Sequence, residues 1–331
     1  MSTRRPAQRG VAIVSALLVA ALITVLTIQW FTAQAAQAQA VETQRAAVQA
    51  RWLVVAATDW ALMLLREDSN TLTDSLQEVW ATPLARTRIT DASGKLEAFV
   101  SGRIEDAQGR FNLADLVKGG APDEEAVAGL QRLMVAARLD ASKAERIAEA
   151  MLLVTPAPPP EPQQGQSRQP EGRPPSTPAV APPAPRIKNV MDLVGKNELT
   201  EADLIGLEPF VVVIPKPAGQ PGKSRTRINV NTASAPAIAS ASEELAKIAE
   251  AIVARRERIS RFNQTAELRT NFPALNAITE GDSLANVSVN SQYFIATGRI
   301  ELGRVNMTRQ ALILRQNEGP RLASVVWARE L

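Results

Sequence analysis

The sequence predicts an α+β fold in which one long N-terminal helix packs on an antiparallel sheet and a large α-helical domain interrupts that sheet. Three observations carry this expectation. Residues 11–67 contain neither Gly nor Pro. Apolar and polar residues alternate at both ends of the remaining chain, over 86–106 and again over 286–329. The stretch between is patterned for helices. Strands distant in sequence that share one sheet make the chain between them an insertion. The resulting divisions are a leader (1–10), the long helix (11–67), a first part of the sheet (68–109), an inserted helical domain (110–285) and a second part of the sheet (286–331).

The helix comes first. Residues 11–31 read VAIVSALLVAALITVLTIQWF and carry no formal charge. At about 1.5 Å per residue they span about 31 Å, the thickness of a bilayer's hydrocarbon core. Arg4, Arg5 and Arg9 precede them, and the next charged residue is Glu42. By the positive-inside rule the leader is cytoplasmic and the rest of the chain lies beyond the inner membrane, in the periplasm. Residues 32–67 are rich in Ala, Gln, Leu and Arg, all good helix formers. Val41, Val48, Val55 and Leu62 recur every seven residues, flanked by Ala40, Ala47, Val54 and Ala61. That stripe is expected to pack on the sheet or on neighbouring helices. A competing reading takes residues 1–35 as a cleaved export signal, with Thr3-Arg4-Arg5 as a twin-arginine leader and Ala33-Gln34-Ala35 as the cleavage site. Its apolar core exceeds the usual length, and the site falls within helix.

The sheet follows from alternation around turns. Ser93-Gly94 divides 86–106 into a hairpin, and Gly303 and Gly319-Pro320 separate strands over 286–302, 304–316 and 321–329. In the inserted part, Pro122-Asp123-Glu124-Glu125 opens a helix with acids in its first turn. Asp140 or Ser142 caps a second helix, Asn231 or Thr232 a third, and Ser242-Glu243-Glu244 a fourth through Arg258. Arg110-Phe111-Asn112-Leu113 is echoed by Arg227-Ile228-Asn229-Val230, and Arg146-Ile147-Ala148-Glu149-Ala150 by Lys247-Ile248-Ala249-Glu250-Ala251, which suggests an internal duplication. Residues 155–185 hold twelve of the 22 prolines and read as a disordered or polyproline loop.

Composition narrows the chemistry. The chain has no His and no Cys, which removes imidazole acid–base catalysis, the common nucleophilic triads, disulfides and thiolate metal sites. The net charge of +3 is accounted for by the three leader arginines, so nothing in the overall balance marks a polyanion-binding surface. No carboxylate pair stands out, and Asp59 reads as a polar-face residue of the long helix. No enzymatic activity and no cofactor are expected.

A basic leader ending in Arg9-Gly10, followed at once by Val11-Ala12-Ile13-Val14, resembles the class III signal of type IV pilins and type II secretion pseudopilins. The resemblance implies that a prepilin peptidase cuts between Gly10 and Val11, that Val11 is then N-methylated, and that the helix is kept as the assembly element. Most such proteins carry Glu at mature position five; here Ser15 stands there. A buried carboxylate persists in lipid only with a partner, and the subunit that lacks it is the minor pseudopilin K, which resembles a cap with no subunit ahead of it. Asp106-Ala107-Gln108-Gly109-Arg110-Phe111-Asn112-Leu113, Ile228-Asn229-Val230-Asn231-Thr232-Ala233 and Ser291-Gln292-Tyr293-Phe294 match further motifs of that family. The resemblance implies a pseudopilin fold and a role in initiating or capping the type II secretion pseudopilus with minor pseudopilins I and J. Close approach of their helices in lipid is expected at Ala12, Ala16, Ala20 and Ala21. Exported cargo is a further expected partner.

Two rivals complete the reading. Residues 228–269, with Arg255-Arg256, also resemble helix-hairpin-helix DNA-binding modules. The alternative function is therefore a periplasmic DNA-binding protein, on a membrane anchor or exported by a cleaved signal. The hairpin position, 240–246, holds no Gly and two acids, so no nucleic-acid partner is expected. The family is also reported to bind calcium through an Asp-rich loop. After Leu153 the chain has the proline run instead and no D-x-D-x-D spacing, which leaves Glu280, Asp282, Asp203 and Glu208 as carboxylates that could converge, with no ligand set assigned.

Overall fold

The computed structural model describes residues 9–68, 70–90, 94, 97–155, 187–216, 225–277, 284–316 and 322–331. Helix α1 runs unbroken over Arg9–Glu67, 59 residues, about 88 Å at the standard rise. The hairpin follows as β1 (Leu84–Thr90) and β2 (Glu97–Asp106), with Gly94 in its turn at φ +69°. The interrupting chain then forms the two-residue strands β3 (Phe111–Asn112), β4 (Val117–Lys118) and β5 (Ala121–Pro122), the helices α2 (Glu124–Ala136), α3 (Ala144–Val154) and α4 (Glu201–Leu204), and β6 (Val211–Val212). It continues through β7 (Ile228–Asn229), α5 (Ala235–Ala239), α6 (Glu243–Ile259), α7 (Ala266–Asn271) and β8 (Val287–Ser288). Strands β9 (Tyr293–Leu302), β10 (Val305–Arg315) and β11 (Ala323–Glu330) close the chain.

Five strands make one antiparallel sheet in the order β1-β2-β9-β10-β11, so both ends of the exported chain meet as the alternation predicts. One correction concerns the expected strand over 286–302. Its sheet pairing starts at Tyr293, and residues 287–288 instead pair in parallel with 228–229 inside the insertion. The proline-rich run from 156 onward lies outside the described residues.

Helix α1 lies on the sheet through Ala50, Val54, Thr58, Ala61 and Leu65, all buried. The sequence stripe thus needs a second correction: Val54 and Ala61 face the sheet, whereas Val41 and Val48 are exposed. The reason is distance. A Cβ on Gly298 of β9 would sit 3.2 Å from the Ala57 Cβ, and its cross-strand partner is Gly102. Small residues on the helix above two facing glycines let the axis come close. The valine row would hold it away, and van der Waals contact is lost steeply with separation.

The insertion has its own two apolar cores. One gathers Phe111, Leu113, Leu116, Leu130, Leu133, Ile147, Met151 and Leu193 around α2 and α3. The other gathers Ile228, Val230, Ile238, Leu245, Ile252, Phe262 and Leu268 around α5 and α6. Each opens with a two-residue strand ending in Asn whose side-chain oxygen accepts from the amide two residues on, Asn112 from Ala114 and Asn229 from Asn231. Each such strand pairs in parallel with one near the unit's far end, β3 with β6 and β7 with β8. Asp123 caps α2 and Ser242 caps α6, the latter as expected; α3 corrects the expected Asp140 or Ser142 cap, since Lys143 stands at its N-cap without a side-chain bond and Asp140 instead caps the single turn 141–143 before it. At α5 the cap is Ser234; Asn231 is spent on Phe262, whose backbone it grips from both sides.

The sheet's edges are guarded. Strand β1 shifts register between Leu84 and Thr87, and β11 pairs with β10 through a bulge. Arg66 donates to the Ala323 carbonyl (2.7 Å) and Lys188 to the Ala328 carbonyl (2.9 Å) on β11. Such devices stop an edge strand from pairing with another chain.

The Gly298–Ala57 contact is testable. Gly298→Val should push α1 off the sheet and cost about 1–3 kcal/mol, read as a lowered melting temperature of the detergent-solubilised chain by circular dichroism.

Candidate functional site: the uncovered rod and its polar junction

The functional surface expected from the sequence is α1 itself. The segment from Ile13 is long and apolar enough to cross a membrane and is uncovered by the rest of the chain. Its large apolar side chains from Ile13 to Phe31 are all more than half exposed. The Thr24 and Thr27 hydroxyls donate back to the Ala20 and Ile23 carbonyls (2.8 and 2.7 Å), so neither leaves a bare polar group in lipid. This fits a single-pass membrane anchor. The helix spans the Gly10–Val11 junction without a break. Ala16 and Ala20 are four residues apart and so share a face, with Ala21 beside them, and the side chain of Ala12 lies outside the described residues. Ser15 is exposed on the same helix. Beyond the apolar third, Val48, Trp52 (72% exposed) and Met63 continue an apolar row on the face turned away from the sheet.

The far end of α1 is different in kind. Leu65, Trp80, Ile104, Phe294 and Ile313 close the core there, with Trp80 edge-on to Phe294 at 5.1 Å. Beneath them Arg315 of β10 is 1% exposed. Its Nη1 donates to Asp68 Oδ2 (2.6 Å), immediately after α1, and its Nη2 to both oxygens of Asp74 (2.7 Å each) and to the Ser291 carbonyl (3.0 Å). The guanidinium lies 4.7 Å over the Phe294 ring. The Ser291 amide donates to Asp74 (2.7 Å) and its hydroxyl to Asp106 Oδ2 (2.6 Å). The same Asp106 oxygen accepts from Thr232 Oγ1 (2.6 Å) and Asn229 Nδ2 (2.9 Å). A chain of charge-assisted bonds therefore runs from the end of the rod, through β10, β9 and β2, into the insertion.

Burial pushes the Asp74 carboxyl up to about 7 against the pull of Arg315, and burial likewise raises Asp106 and Glu78. Asp68, Asp74 and Glu78 bring ligand atoms within 4.8 Å of one another. The Arg315 guanidinium already occupies oxygens of both Asp68 and Asp74, so this cluster does not fit a metal ion. Of the carboxylates named from sequence, Asp203 is ion-paired with Lys143 and accepts from the Thr200 amide, and Glu208 accepts from Asn189. Each is committed to a local partner, and Glu280 and Asp282 lie outside the described residues.

The three sequence motifs converge at this junction through Asp106, Asn229, Thr232 and Ser291. Gly109 belongs to it as well, since a Cβ there would meet the Thr232 hydroxyl at 3.0 Å. Arg315, Asp68 and Asp74 were not expected. The available signal was Arg315 sharing the inward row of Ala311 and Ile313, a charge where the alternation calls for an apolar residue.

The DNA-binding alternative is not favoured by the geometry. The α5–α6 turn is buried at Ser240 and Ala241. Arg132 of α2 donates to the Ala239 and Ser240 carbonyls (3.3 and 3.0 Å), and Gly129 is so near that a Cβ would fall 2.8 Å from the Ser240 carbonyl. Arg256 is buried and donates to the Val230 and Ala233 carbonyls (2.7 and 2.8 Å). Arg255 is bound to Asn271. The hairpin that would meet phosphate faces the interior.

Residues 109–216 match the family described as type II secretion system protein K. The chain is 28% identical over 253 residues to the type II secretion system protein K of Pseudomonas aeruginosa, covering 76% of this chain and 70% of that protein. Its fold is similar to a chain in the crystal structure of the GspK-GspI-GspJ complex from the type 2 secretion system of enterotoxigenic Escherichia coli. The TM-score is 0.60 at 22% identity, covering 88% of this chain and 98% of that one. The resemblance carried by the motifs is thus found again in a family match, a relative and a fold.

The junction makes its own prediction. Arg315→Met leaves Asp74 buried without its cation and should cost about 3–5 kcal/mol, measured as a shift of the denaturant midpoint. Restoring charge balance with Asp74→Asn in the same chain should recover much of it.

Proposed function

We propose that this chain, similar in sequence and fold to protein K of the type II secretion system, is the minor pseudopilin that starts or caps the pseudopilus together with minor pseudopilins I and J. One observation carries the reading. The rod is bare over its apolar third, covered by a sheet over its last third, and crowned by the insertion at the end remote from the membrane. The insertion leaves the sheet after β2 and returns before β9, beside α1 residues 61–65. A neighbour can pack along the bare face of α1, whereas the path above the sheet is filled by this subunit's own chain. The solved complex of a similar fold with I and J subunits supports those partners.

In this reading the leader is cytoplasmic and residues beyond Phe31 stand in the periplasm, with the apolar helix in the inner membrane. Prepilin peptidase cuts at Gly10–Val11 and the new Val11 amine is methylated. Ser15 supplies no carboxylate for the amine of a subunit ahead, as suits a terminal position. Ala12, Ala16, Ala20 and Ala21 let neighbouring helices approach closely. The role is assembly, without catalysis or a resident cofactor. The bulky insertion is the part that meets exported cargo.

Intact mass of the membrane-extracted protein tests processing directly: a mature chain beginning at methylated Val11 is expected. Gly10→Trp should leave the leader attached and abolish secretion of the system's substrates. Normal export with an uncut leader would overturn the mechanism.

A further inference from the structure

Four buried or half-buried acids and one guanidinium meet where the rod, the sheet and the insertion join, and that imbalance has a consequence. The charged groups facing one another are Arg315 from β10, Asp68 from the end of α1, Asp74 and Glu78 from the loop after it, and Asp106 from the end of β2. The insertion offers only neutral groups, Asn229 and Thr232, and β9 is entered through the neutral Ser291. Asp74 and Ser291 also hold the backbone together: the Asp74 amide donates to the Val289 carbonyl (2.9 Å) and Asn229 Nδ2 to the Asp74 carbonyl (3.1 Å). A single buried cation already shared with Asp68 cannot balance Asp74 and Asp106 when both are ionised, and an uncompensated buried charge is costly.

We propose that this junction is a proton-operated latch: with a proton held at Asp74 or Asp106, the two acids bridged by Ser291, the insertion is locked to the rod and sheet, and with that proton lost the lock loosens. The direction follows from linkage. Burial raises the Asp74 carboxyl in the folded chain from 3.8 to about 7. Between those values the folded state binds more protons than the unfolded one. Stability and local protection therefore fall as pH rises across that window, and level off above it. This is opposite to the usual behaviour of a salt-bridged acid, whose contribution is lost on acidification.

Hydrogen–deuterium exchange on the full chain in detergent, corrected for intrinsic rates, reads the latch locally. Residues 228–232 and 289–293 should exchange about tenfold faster at about pH 8 than at about pH 5, with α2 unchanged as the internal control. Asp106→Asn keeps the shape but carries no charge, and should flatten that dependence. If Asp106→Asn does not fold, Asp74→Asn serves the same purpose. Infrared difference spectra of the wild-type chain provide a readout independent of any variant, through the carbonyl stretch of a protonated carboxyl present at low pH and lost at high pH. Equal protection at both pH values, a wild-type pH dependence surviving in the variants, or no protonated carboxyl in the spectrum would each overturn the latch.

Discussion

The last third of α1 lies against the sheet at a separation set where Ala57 and Val54 meet Gly298, and that separation decides which face of the helix is left for other molecules. Because a helix turns 100° per residue, fixing one face at residues 50–65 fixes the direction of every described side chain back to Ile13 if the helix stays unbroken. The sheet thereby aims the membrane-spanning part. The same contact anchors the strands bordering the insertion, β2 and β9, so the placing of the insertion depends on it too.

Much of this was legible in the sequence because the signals were periodic or categorical. A charge-free run of bilayer length, alternation around Ser93-Gly94, and acids after Asp123 each point to one element. What was misread had competing faces of similar polarity. Val41, Val48 and Val55 form as good a stripe as Ala50, Val54 and Ala61, and only Gly298, two hundred residues away, selects the second. Tertiary context of that range cannot be seen in a local window. The two-residue parallel strands carry too little pattern to separate from β9, which is why residues 286–292 read as its beginning.

The site was legible in part for a related reason. The motif residues Asp106, Asn229 and Ser291 were visible, but their purpose was not, since sequence places them 123 and 62 residues apart. The structure turns three separate motifs into one polar joint. It also explains the resemblance to DNA-binding hairpins: Asn231 and Arg256 are spent on tying the hairpin to itself and to Phe262. The shared motif reflects how two short helices are fastened, and the surface chemistry that would meet phosphate is absent from this turn.

The guarded margins of the sheet bear on storage. A membrane-tethered protein awaiting assembly is confined to two dimensions, where encounters between identical copies are frequent. Bare β-margins under such crowding would invite runaway stacking into cross-β deposits. With Arg66 and Lys188 occupying two carbonyls of the outermost strand, a second copy would meet a margin already partly taken, and the bare helix is the freer surface for contact.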